Sequence, residues 1–71
     1  MSALPMQLVE IVTERVAERT GRRVRNLVVE VEGDSVVLRG RTSSFYVKQL
    51  AQHGAREALP HAQLENAIVV E

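Results

Sequence analysis

Hydrophobic and polar positions change period twice along this chain, and the changes mark its elements. Leu8, Ile11, Val12 and Val16, preceded by Leu4, recur at helical spacing. Pro5 suits a first helical turn, where its missing N–H costs nothing. Thr20-Gly21 supplies a stop, because glycine readily takes the left-handed conformation past a helix end. The spacing predicts a helix over roughly residues 4–19, with Val9 widening the apolar arc beyond its main stripe.

From Leu27 the period becomes two. Leu27, Val29 and Val31 fall on one face, and Val28, Glu30 and Glu32 on the other. After Gly33-Asp34, Val36, Leu38 and Gly40 alternate with Val37, Arg39 and Arg41. Gly-first dipeptides between two such runs signal a hairpin with a type II′ turn. A two-residue loop pairs Glu32 with Ser35, Val31 with Val36, Val29 with Leu38 and Leu27 with Gly40. It sets Glu30 opposite Val37 and Val28 opposite Arg39. Every apolar partner then shares one face, and a slip of one residue would spoil this.

At Thr42-Ser43-Ser44 the alternation ends on residues that favour helix N-caps. Val47, Leu50, Ala51, Gly54 and Ala58 follow at helical spacing, and Pro60 ends the run. The second helix is predicted over roughly Ser44–Leu59. Gly54 on its apolar stripe costs about 1 kcal/mol of helix propensity relative to Ala. That cost predicts a close approach, and Gly40 is expected to serve the same approach. Leu64, Ile68 and Val70 then point inward from a last strand, Leu64–Val70. Asn66 shares their parity, so it lies near the strand edge, bonds to backbone or sits at a bulge.

Two amphipathic helices must cover one apolar sheet face. The fold class is therefore α+β: a two-layer sandwich, order α-β-β-α-β, with two helices on one face of a three-stranded sheet. If the last two strands are parallel, their crossover should be right-handed. At 71 residues the chain makes a single domain, without cysteine to staple a small core, and oligomerisation is a common remedy. Net charge is zero, so bulk attraction to nucleic acid or anionic lipid is not expected. No apolar run reaches membrane-spanning length and no basic-then-apolar leader is present, so a soluble, cytoplasmic protein is expected.

Leu27 to Gly40, with its Val36-x-Leu38-x-Gly40 ending, resembles the core of a BON domain, the family named for bacterial osmotic-stress and nodulation proteins. The following helix and Leu64-x-Asn66-x-Ile68-x-Val70 resemble that family's closing strand. The resemblance runs from about Gly21 to Val70, mainly at structural positions. This chain has Pro60-His61 where that family often has proline-glycine, and its first residues are not expected to act as an export signal. The resemblance implies a binding module without catalysis. Such domains occur largely in envelope or secreted proteins and are proposed to bind phospholipid, membrane surfaces or other envelope components.

Candidate chemistry is sparse. His53 and His61 lack cysteine or clustered carboxylate partners, which argues against a metal site and reads them as surface and turn residues. Ser43 and Ser44 lack a nucleophile-elbow pattern and are explained as caps; Asp34 is a turn former. Neither a cofactor nor a small-molecule substrate is evident, and an enzyme is not expected. Arg15, Arg19, Arg22, Arg23 and Arg25 form a basic cluster that could meet phosphate on nucleic acid or on an anionic membrane surface. A solvated helix end, partly neutralised by Glu14 and Glu18, explains the same residues. Phe45, beside the helix start, is expected to pack against a neighbouring element.

The outward parity of the strands offers a different candidate. Val28, Val37, Ala67 and Val69 share it with Arg39, Arg41, Glu30, Glu32, Glu65 and Glu71. An apolar centre inside a charged rim is the anatomy of an interaction surface. A protein partner or a second copy is its expected occupant. Strand propensity alone also accounts for the valines.

Overall fold

The computed structural model describes residues 5–71, with only the backbone of Pro5. Its elements run α1 (Pro5–Thr20), β1 (Arg25–Glu32), β2 (Ser35–Thr42), α2 (Phe45–Ala58) and β3 (Gln63–Val70). This is the α-β-β-α-β order expected. The sheet order is β1-β2-β3, with β2 antiparallel to β1 and parallel to β3. Both helices pack on one face of this mixed sheet. The core between the layers consists of Val12 and Val16 from α1, Ala51 and Ala55 from α2, and Val29, Val36, Leu38 and Ile68 from the strands.

The end of α1 is fixed by backbone. Arg22 N–H donates to Ala17 O at 2.9 Å and Gly21 N–H to Glu18 O at 3.2 Å. This paired bonding satisfies two orphan carbonyls and requires a left-handed residue, here Gly21 at φ 61°; Arg22 follows at φ 58°. Thr20 is fully buried, its hydroxyl bonded back to Val16 O at 2.8 Å. The buried stripe of α1 is Val12, Val16 and Thr20, with Val9 packed against the core. Ile11, expected on the stripe, is 50% exposed, because Val9 lies in phase with Val12 and Val16 and Ile11 does not. Leu4 lies outside the described residues.

The hairpin keeps the predicted register from Glu32↔Ser35 to Val28↔Arg39. Gly33 takes φ 56° whereas Asp34 keeps φ negative, the combination of a type II′ turn. Beyond Val28 the expected pairing of Leu27 with Gly40 fails. Arg25 pairs with Arg41, so Asn26 and Leu27 together oppose Gly40 in a β-bulge. Asn26 supplies the left-handed residue this requires, at φ 55°. The bulge reverses facing upstream, so Val24 turns to the core and Arg25 to the outer face. Gly40 accommodates it: a Cβ there would lie 2.7 Å from Val24 Cγ1 and 2.9 Å from Arg25 O. Gly40 thus serves the bulge rather than helix packing.

Ser44 caps α2, its Oγ accepting from Val47 N–H at 3.3 Å, so the helix proper starts one residue later than predicted. It ends at Ala58, with Leu59 as C-cap before Pro60. Gly54 is the close approach expected of it. A Cβ at that position would meet Arg15 O and Val16 Cα, both at 3.1 Å, on the facing helix. Asn66 takes the second of its three predicted options. Its Nδ2 donates to Lys48 O at 2.8 Å, and its Oδ1 accepts from Ile68 N–H at 3.3 Å.

Candidate interaction surface

The two ladders fix which outer-face residues are neighbours. Nearest the hairpin turn, Glu32, Ser35 and Gln63 form a row across the sheet. Glu30, Val37 and Glu65 form the next, then Val28, Arg39 and Ala67, then Arg25, Arg41 and Val69. Glu71 follows at the far end, held by its N–H to Thr42 O at 2.9 Å. Val28 is 50% and Val69 55% exposed, Val37 and Ala67 are half-buried, and Arg39 lies on the central strand between Val28 and Ala67, so the expected apolar centre has a charge in its middle rather than only at its rim. The predicted residues Val28, Val37, Arg39, Ala67 and Val69 therefore occupy one continuous patch.

Ion pairs order its charged groups. Arg39 Nε donates to Glu30 Oε1 at 2.7 Å, and this bond, with the Glu30 charge behind it, raises the guanidinium pKa further above its ordinary value. Arg25 donates to one Glu71 carboxylate oxygen, and Arg41 Nη1 lies 3.4 Å from the other. Solvent reaches all of these groups, so the pairs orient the charges and add little stability.

The basic cluster does not form a single patch. Arg15 and Arg19 reach across to α2, where Glu57 accepts from Arg15 Nη1 at 3.4 Å and Arg19 Nε at 2.9 Å, with a second oxygen on Arg19 Nη2. The Arg19 hydrogen bond lowers the Glu57 carboxyl to about 2, against its partial burial, and the two arginine charges assist. The same bond raises the Arg19 guanidinium above its ordinary value. Arg22 pairs with Glu14 at 3.0 Å, Arg23 donates to Thr20 O at 3.0 Å, and Arg25 belongs to the sheet face. Four of the five arginines thus meet carboxylates.

Sequence reasoning missed two exposed features. Arg25 joins the outer face only because of the bulge. Phe45, expected to pack, is 71% exposed beside Tyr46 at 63%. At the first turn of α2 the inward direction already belongs to Val47, 1% exposed, so residues 45 and 46 point away. His53 lies exposed on α2, and His61 is exposed in the turn before β3. Among the described residues, no group of three or more histidine, aspartate and glutamate side chains gathers as a metal site would require, and no helix is long and apolar enough to cross a membrane. No family model matches the chain, and no curated protein or solved structure matches it.

Proposed function

We propose that this chain is a non-catalytic binding module resembling a BON domain, and that its outer sheet face is the contact surface. One observation carries the reading: Val37, Ala67 and the half-exposed Val28 and Val69 surround Arg39 on one solvent-facing side of the sheet, with Arg39 paired to Glu30 and with Arg25 and Arg41 sharing Glu71 at the far end. A small domain gains by burying such a face, and a face whose charges are ordered by ion pairs selects its partner by charge. Protein–protein contact is the favoured mode. Contact with anionic membrane or nucleic acid would draw on Arg15, Arg19, Arg22, Arg23 and Arg25, whose charge is already largely met within the fold.

The test uses the chain as bait, with Val37→Lys as control after its melting and circular dichroism match wild type. Partners retained by wild type and lost by Val37→Lys support the reading. An identical partner set in both overturns it. Anionic vesicles form a parallel arm: flotation that survives Val37→Lys and fails when Arg22, Arg23 and Arg25 become Ala would replace the sheet face with the basic residues.

A further inference from the structure

We infer that the partner which fits the outer sheet face is a second copy of this chain, docked face to face across a two-fold axis perpendicular to the strands. The inference rests on the outer-face reading above and adds the occupant and its orientation. Its basis is the way charge is divided along the face.

The two rows nearest the hairpin turn hold Glu30, Glu32 and Glu65, and no basic residue. The next two rows hold Arg25, Arg39 and Arg41, and no acidic residue. Alternate strand residues are about 6.6 Å apart, so two rows separate the centres of these halves by about 13 Å. That exceeds the Debye length of about 8 Å at physiological salt; the Glu30–Arg39 pair bridges the boundary, and outside it Glu32 and Glu65 give one half its sign and Arg25 with Arg41 the other. Glu71 closes the far end and offsets part of the basic half.

A face split in this way complements itself in one orientation. A two-fold axis parallel to the strands stacks acidic rows on acidic rows. An axis across the strands reverses the row order and keeps each strand over its own counterpart. Glu32 then lies over Arg25 of the second copy, and Ser35 over its Arg41. The rows containing Val37 and Val28 meet around the axis. The product is a four-layer arrangement, helices outside and two sheets packed at the centre, which is how sheets bury a shared face. An isologous contact closes at two copies.

The face is small. Eight-residue strands give about 26 Å of length and three strands about 14 Å of width, a footprint of roughly 370 Å² per copy. Stable interfaces bury about 800 Å² per partner. The association is therefore weak, populated at high concentration or where copies are held together, and its charges set the orientation.

Sedimentation equilibrium at micromolar to millimolar concentration provides the test. Two charge-swapped variants are prepared: Glu32→Lys with Glu65→Lys, which makes the face basic, and Arg25→Glu with Arg41→Glu, which makes it acidic. Each alone is expected to be monomeric, and an equimolar mixture is expected to form a one-to-one dimer. Wild type should dimerise, and its association should weaken roughly tenfold or more between low and about 0.5 M salt. A mixture that stays monomeric, or variants that self-associate like wild type, overturns the inference. The second outcome would point to edge-to-edge pairing through β1 or β3.

Because Arg25 and Arg41 also hold Glu71, circular dichroism must confirm that the acidic variant folds. If it does not, the salt response of wild type decides alone, and association unchanged or strengthened by salt overturns the inference. A monomeric wild type that still captures partners lost in Val37→Lys removes the second copy and keeps the outer-face reading. A monomeric wild type without such partners removes both.

Discussion

Replacing Gly54 by Leu sets two effects of opposite sign against each other. Leu is the better helix former, by about 0.8 kcal/mol on the scale where Gly costs about 1 kcal/mol relative to Ala. Against this, a Cβ at residue 54 meets Arg15 O and Val16 Cα at 3.1 Å and Arg19 Cγ at 3.2 Å. The first two are backbone atoms of α1 and cannot rotate aside. Leu adds three further carbons to the same seam, so the helices must separate and Val12, Val16, Ala51 and Ala55 lose contact. Overpacking of this kind typically costs 1–3 kcal/mol, occasionally more. With two backbone atoms in the way we expect a packing cost at the top of that range or above it, about 2–4 kcal/mol, and so a net loss of about 1–3 kcal/mol. For a domain of this size that lowers Tm by roughly 5–20 °C. Gly54→Ala gains about 1 kcal/mol of propensity, needs only a few tenths of an ångström, and should stay within about 1 kcal/mol of wild type.

Urea unfolding monitored by circular dichroism measures both variants. The Arg15–Glu57 and Arg19–Glu57 bonds span the same seam. Glu57→Gln should therefore cost less in the Gly54→Leu background than in wild type, a coupling that a double-mutant cycle resolves. A Gly54→Leu protein that melts at or above wild type would refute the reasoning. The helix separation at residue 54 would then be soft.

Three further outcomes follow from the same structure. Gly40→Ala forces a Cβ to within 2.7 Å of Val24 and imposes φ 154° on an L-residue, so it should destabilise by about 2–4 kcal/mol in urea unfolding. Ser44→Ala removes the cap on Val47 N–H and should cost about 1 kcal/mol, or roughly 4–8 °C in Tm; an unchanged Tm would mean that Ser43 or water replaces it. Glu57, lowered from 4.5 to about 2, binds its proton more weakly folded than unfolded. Its contribution is complete above pH 4.5 and is lost as pH falls through about 2, so Glu57→Gln should flatten the stability decline in that window; an identical pH profile would refute the assignment.

Periodicity made most of the fold legible because each element obeys its own local rule. The turn residues set the hairpin register, the glycine on a helical stripe marked the helix contact, and inward-facing valines located the sheet core. Failures arose where tertiary geometry decides between options of similar local cost. Ile11 and Val9 are both apolar, and only the position of the sheet selects which turns inward. Phe45 is large and apolar, but the cap at Ser44 fixes the helix phase and sends it outward. The apolar part of the candidate face was readable from parity, whereas Arg25 was not, because a bulge changes parity without changing composition. Two signals could have located it: an asparagine, which tolerates φ > 0, and Val24 on the wrong parity for its apolar neighbours.

That bulge gives β1 something like a reading frame. Along a regular strand, inside and outside are assigned by counting in twos, and a substitution at one position leaves the count intact elsewhere. Between Asn26 and Leu27 the count skips. Everything from Val28 onward is read in one frame, and everything before Asn26 in the other. A chain lacking Asn26 would lose the bulge and keep every facing, with Leu27 opposite Gly40, Arg25 still opposite Arg41 and Val24 still inward, whereas one further residue inserted beside Asn26 would carry Arg25 toward the core and turn Val24 to solvent. Urea unfolding should find one glycine inserted after Asn26 far more costly than either Asn26→Gly or deletion of Asn26, both of which keep the facing of Arg25 and Val24. For this strand, then, length carries information of its own, separate from the identity of any side chain.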